Sequence, residues 1–187
     1  MNQIRIKKET TVQAYGEFWD AFLFLKMKQE EKVKGRSKIK LSALTMACFS
    51  IEAFANHVGQ QLHSDWEIYG QWDSPIDKLK KFIKTLKIDI KLGEPPFQTV
   101  DRIMDWRNKV AHAHTESFIS EHKANSENYD ELLGVVEKTE WQKFYLNADL
   151  NKIEKDCEEV MEKIHKKAFK HLEWFLGGAR HLTTAGL

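Results

Sequence analysis

A chain of 187 residues is long enough for one domain with a substantial core. Its 29 basic and 28 acidic residues nearly cancel, which excludes strong whole-molecule steering of polyanions, so any nucleic-acid contact must rest on local basic patches. No apolar run approaches the roughly 18 residues that a membrane span needs. The charged opening MNQIRIKKET does not read as a signal peptide. The two cysteines, Cys48 and Cys157, fall on apolar helical faces without a CxxC partner and read as buried thiols of a cytoplasmic protein. Three prolines and few alternating β-branched runs predict an all-α protein.

Tyr15, Phe18, Trp19, Phe22 and Leu23 recur at helical spacing and predict an amphipathic helix over about 11–31. KVKGRSK (32–38) reads as a basic, glycine-containing loop. Over 41–62, Leu44, Ala47, Ile51, Phe54, Val58 and Leu62 share one arc while Met46, Phe49 and Ala53 lie elsewhere, so this central helix is apolar most of the way round and should be buried. Ser74-Pro75 reads as a helix start, with Ser74 as cap, Pro75 at the first position and Asp77 in the first turn. Ile76, Leu79, Phe82, Ile83 and Leu86 would face inward, and Lys78, Lys80, Lys81, Lys84 and Lys87 outward. GEPP (93–96) breaks the chain before a further helix in FQTVDRIMDWRNKVAHAH. Residues 115–146 read as a long loop or insertion with short structured pieces. From 149 to 176 the steps Leu150, Ile153, Cys157, Val160, Ile164, Ala168, Leu172 and Phe175 predict a long C-terminal helix, stopped by Gly177-Gly178, with 179–187 as a flexible tail. The expectation is a single domain over 1–187, a bundle of about five helices.

The helix beginning at Phe97 has two faces. Asp101, Asp105, Asn108 and His112 form a polar stripe, whereas Phe97, Val100, Ile103, Met104, Val110 and Ala111 form the apolar arc. Arg107 projects into that apolar arc. A guanidinium there must meet a carboxylate, reach along the edge or open onto a cleft, because an unpaired buried charge is costly. Glu52 is the formally charged residue of the buried helix, at the edge of its apolar arc, and buried carboxylates need partners as well. Either Glu52 and Arg107 meet where the two helices pack, or Glu52 reaches solvent beside Thr45 and Asn56.

Arg107-Asn108-x-x-x-His112 resembles the Arg-x(4–6)-His signature of HEPN domains (higher eukaryotes and prokaryotes nucleotide-binding). IEAFANHVG, with Glu52 and Asn56, is similar to the acid-plus-Asn pattern that many bacterial members carry on an earlier buried helix. The resemblance implies an all-α domain, usually a homodimer whose two Arg-Asn-His motifs face one another. Many members are metal-independent endoribonucleases: toxins, abortive-infection proteins and RNA-processing effectors. Others are non-catalytic interaction modules in which the Arg would be structural. A toxin of this kind would have a neutralising antitoxin partner.

The residue types suit RNA cleavage by the substrate's own 2′-OH. Proton movement needs a group that titrates near neutrality, which suits a histidine such as His112. A planar cation, Arg107, can hold two oxygens of the phosphorane-like transition state. Asn108, four residues before His112, can orient the imidazole or the phosphate. Asp105 and His114 are supporting residues, and no cofactor or metal is required. His112-x-His114 lacks the HExxH context of a metal site and reads as a solvated pair or an accessory phosphate contact. Lys78, Lys81, Lys84 and Lys109 read either as RNA backbone contacts or as a solvated face. Trp66, Tyr69 and Trp72, like Trp141, Phe144 and Tyr145, could stack on bases or pack against the bundle.

Overall fold

The structure, a computed structural model, describes residues 8–31, 34–119, 137–169 and 182–185. It is the expected all-α bundle, with five helices of eleven residues or more among the described residues: α1 (Ala14–Glu30), α2 (Arg36–Leu62), α4 (Pro75–Thr85), α5 (Phe97–Ala111) and α7 (Leu150–Ala168). Two short helices complete it, α3 (Trp66–Tyr69) and α6 (Glu140–Asn147). Two four-residue strands, β1 (Lys8–Thr11) and β2 (Leu182–Ala185), pair antiparallel.

The boundaries differ from expectation for local reasons. Thr11 belongs to β1, so α1 starts at Ala14. The basic loop is shorter than expected because Gly35, at φ +86°, leads directly into α2, which begins at Arg36; residues 32–33 lie outside the described residues. The C-terminal helix ends at Ala168, where Phe169 leaves helical geometry, well before the glycine pair at 177–178, which lies outside the described residues. Leu182–Ala185, expected within a flexible tail, is paired in the ribbon. Within the expected long loop, 115–119 has no regular structure and α6 forms, while 120–136 lies outside the described residues.

Three helix starts are fixed by side chains. Asp77 N donates to Ser74 Oγ at 3.2 Å, as expected for Ser74-Pro75. Thr139 and Gln142 form a reciprocal capping box at α6. Asp149 accepts from the amides of Asn151 and Lys152 at α7.

α2 lies at the centre, packed against α1, α4, α5, α6 and α7. Leu44, Ala47, Ile51, Phe54 and Val58 are fully buried, joined by Trp19 and Phe22 of α1, Val100, Ile103 and Met104 of α5, and Cys157, Val160 and Ile164 of α7. Ser50 is buried on α2 because its hydroxyl donates to the Tyr15 carbonyl at 2.7 Å. Asp156 of α7, likewise buried, accepts from Thr99 Oγ1 and from Lys152 Nζ, the latter at 2.6 Å.

Both cysteines are buried and free, as expected. Burial pushes both thiols well above the ordinary value, with the Arg107 guanidinium opposing it weakly at Cys48. We expect a thiol reagent such as Ellman's to leave the native protein untouched and to titrate two thiols per chain once it is unfolded in urea. Stoichiometric reaction at the rate of a free thiol without denaturant would contradict this burial.

At one end of the bundle, His57 of α2 lies 5.2 Å from the Tyr15 ring and 5.5 Å from that of Phe169, and His165 of α7 lies 4.7 Å from Phe169. Burial, reinforced by the neighbouring His165, holds His57 below the ordinary histidine value of 6.5. The unfolded chain therefore binds this proton before the folded one. The stability at stake is fully present above the unfolded value and is lost as the pH falls from it towards the folded value. We expect the urea midpoint to drop on acidification from about pH 7 to about pH 5, and His57→Gln to flatten that dependence. An equal slope in the variant would assign the effect to other groups.

Candidate functional site

α2, α4 and α5 meet in a polar cluster set into an otherwise apolar interface. Arg107 of α5 donates through Nη2 to Glu52 of α2 and through Nη1 to Asn108 Oδ1 at 3.1 Å. One turn further along α2, Asn56 Oδ1 accepts from Lys78 Nζ of α4 at 2.8 Å. The Lys78 ammonium also lies 5.4 Å from the centre of the Trp66 ring. Of the two fates open to Glu52, the structure shows the ion pair. The projection of Arg107 into the apolar arc is the reason: the guanidinium finds its carboxylate across the helix interface.

The pair is only partly withdrawn from water, with Arg107 27% and Glu52 32% exposed in their side chains. Screening limits such a pair to about 1 kcal/mol of stability, so its main consequence is to fix the guanidinium. Beside it an open depression of 340 Å³ is lined by Phe18, Phe49, Glu52, Ala53 and Asn56.

Lys78 requires a correction. It was expected on the outward, RNA-facing row, but it is buried, 6% exposed, because α4 turns it towards Asn56 and Trp66. Burial pulls its ammonium below the ordinary lysine value, while Glu52 and Asp73 oppose that shift. Its role is to close the cluster from the α4 side. The other lysines are exposed and dispersed: Lys81 pairs with Asp73, Lys109 pairs with Asp105 at 2.7 Å, and Lys84 lies in the last turn of α4.

His112 caps the C-terminus of α5, its amide donating to the carbonyl of Asn108 at 3.1 Å. It therefore lies just past the helix instead of on its polar stripe. Its side chain is exposed and has no hydrogen-bond or ion-pair partner among the described residues. His114, two residues on, is exposed in the extended segment. The rest of the stripe, Asp101, Asp105 and Asn108, faces Ser74, Asp77 and Lys80 at the start of α4 across a cleft of 230 Å³. That cleft is acidic on balance, with Asp77, Asp101 and Asp105 against Lys80, which disfavours a phosphate there. No group of three or more His, Cys, Asp or Glu side chains is arranged to hold a metal ion among the described residues.

The aromatics divide. Trp66 is inserted between α2 and the chain after α3, and Trp106 donates through Nε1 to the Trp141 carbonyl at 2.9 Å while stacking on Phe144. Tyr145 is buried. Among the described residues, Trp72 is the one expected stacking aromatic that stands fully out, at 82% exposure; the Tyr69 side chain lies outside the described residues. Trp106, which anchors α5 to α6, carried no signal in the polar-stripe pattern, since it neighbours Asp105 and Arg107. No helix among the described residues is long and apolar enough to cross a membrane. In comparisons with known proteins, the chain matches no family model, no curated protein and no solved structure.

Proposed function

We propose that the protein is a metal-independent endoribonuclease of HEPN type, acting in the cytoplasm as a homodimer, and that it serves as a toxin or defence effector held in check by an antitoxin. The observation that carries this reading is the arrangement at the end of α5. An exposed imidazole, His112, follows within two turns a guanidinium that Glu52 and Asn108 hold in place. A fixed cation loses little freedom when it meets a phosphate, and an exposed histidine can reach substrate protons.

In the proposed reaction the 2′-oxygen attacks the adjacent phosphorus and its proton passes to a histidine. The P–O5′ bond breaks, and the leaving oxygen takes a proton from a second acid. A dimer with facing motifs supplies two imidazoles for those two transfers. Arg107 offsets the charge on the non-bridging oxygens. The products are a 2′,3′-cyclic phosphate and a 5′-hydroxyl end. The test is cleavage of a labelled RNA in excess EDTA, with the ends identified by mass, by the native protein and by His112→Ala. Loss of cleavage in EDTA, or full activity in the variant, would overturn the reading.

A second reading, a non-catalytic interaction module, is favoured by the ion pair itself, because it occupies Nη2 of the guanidinium that catalysis would use. Under that reading no RNA is cut, and Arg107→Ala lowers only stability.

A further inference from the structure

A cavity of 410 Å³ lies between α5, α6 and the start of α7, within the size range of small-molecule sites. It lies apart from the proposed catalytic cluster: Arg102, on its rim, is about 140° around α5 from Arg107. The inner wall is apolar, made by Ile103, Ile153 and Phe144. Phe144 is held from behind by the stacked Trp106 ring, with centroids 6.0 Å apart.

The charges of the cavity are not balanced in use. Lys143 is paired with Glu140 at 2.8 Å, and Lys152 with Asp156 at 2.6 Å. Asp149 is engaged as the cap of α7. Arg102 remains: its guanidinium carbon lies 6.0 Å from the centre of the Phe144 ring and has no hydrogen bond or ion pair among the described residues. A planar cation thus lies over a fixed aromatic ring, at the mouth of an apolar recess whose carboxylates are already engaged.

We propose that this cavity is a binding site for a small, flat organic anion, an aryl carboxylate or aryl phosphate, whose ring enters beside Phe144 and whose oxyanion is held by Arg102. Guanidinium matches both oxyanions in two-point geometry, and the recess removes the ring from water. Neither half of the ligand is sufficient alone, since an inorganic anion leaves the apolar wall wet and a neutral arene leaves the guanidinium unmatched.

The test is isothermal titration and ligand-observed NMR with 2-naphthoate, 2-naphthyl phosphate, 2-naphthalenemethanol and inorganic phosphate at matched pH and ionic strength. One or both aryl anions should bind one per chain with a Kd on the order of 0.1–1 mM. Their relative affinity tells carboxylate from phosphate. The neutral arene and inorganic phosphate should bind about tenfold more weakly or worse. Arg102→Gln, at an exposed position that leaves the fold intact, should weaken the anion about tenfold and leave the neutral arene unchanged. His112→Ala should bind the anion normally, which separates this site from the proposed cleavage. No saturable binding of either anion up to about 10 mM, or equal binding in Arg102→Gln, would overturn the assignment.

Discussion

Replacing His112 with Ala should lower RNA cleavage in EDTA by about a thousandfold while leaving the melting temperature unchanged. The dissociation follows from where the residue sits. Its imidazole is exposed at the C-cap of α5 and has no hydrogen-bond or ion-pair partner among the described residues, so truncation removes no packing. Arg107→Ala differs in kind. It removes the proposed oxyanion contact, worth about a hundredfold or more in rate, and also leaves Glu52 without its guanidinium, at a cost of about 1 kcal/mol in stability. Arg107→Lys keeps the charge but loses the planar fork shared between Glu52 and Asn108, so cleavage should fall further than stability does. Rates measured beside urea midpoints for the three variants decide between the readings. A silent His112→Ala beside an Arg107→Ala that is merely less stable would leave the interaction module standing.

Gly59→Ala should destabilise the fold by about 3 kcal/mol, or about 10 °C in melting temperature. The indole of Trp66 lies in a slot between two glycines: a Cβ at 59 would come within 2.2 Å of the ring, and one at 70 within 2.3 Å. Neither distance is tolerable, and the ring is held on its other sides by Phe82, at 5.9 Å between centroids, and by the Lys78 ammonium. Movement of the indole would release Lys78, and with it the bond to Asn56, so the disturbance should reach the polar cluster. Trp66→Leu supplies the control. With the ring gone, Gly59→Ala should cost far less than in the native background, and the shortfall from additivity measures the slot. A Gly59→Ala protein with native tryptophan fluorescence and an unchanged melting temperature would refute the close approach.

The central helix, and the Glu52–Arg107 contact as one of two fates open to Glu52, were legible for the same reason: charge is conspicuous on an apolar arc, and helical periodicity shows which arcs are apolar. The Ser74 cap was legible because local chemistry settles it. Lys78 was misread because it lies beside exposed lysines on a helix whose polar side looks uniform; only the tertiary position of Trp66 and Asn56 turns that one residue inward. Trp106 was hidden between Asp105 and Arg107, and its partner is a backbone carbonyl 35 residues away, which side-chain periodicity does not encode. The shortened terminal helix has a similar explanation. Apolar steps continue to Phe175, yet the chain departs from the helix at Phe169, whose ring packs against His57 and His165.

The hairpin of α1 and α2 has kinetic consequences. Its contacts are near neighbours in the chain, so its closure costs little loop entropy and it can form during synthesis, before the later helices have left the ribosome. The side of α2 that packs on the C-terminal helix then waits for partners that arrive about a hundred residues later in α7. In that interval the nascent protein presents a greasy stripe to its surroundings, the kind of surface that chaperones bind. Slowing translation across the stretch between α5 and α7 would lengthen the wait and lower the soluble yield.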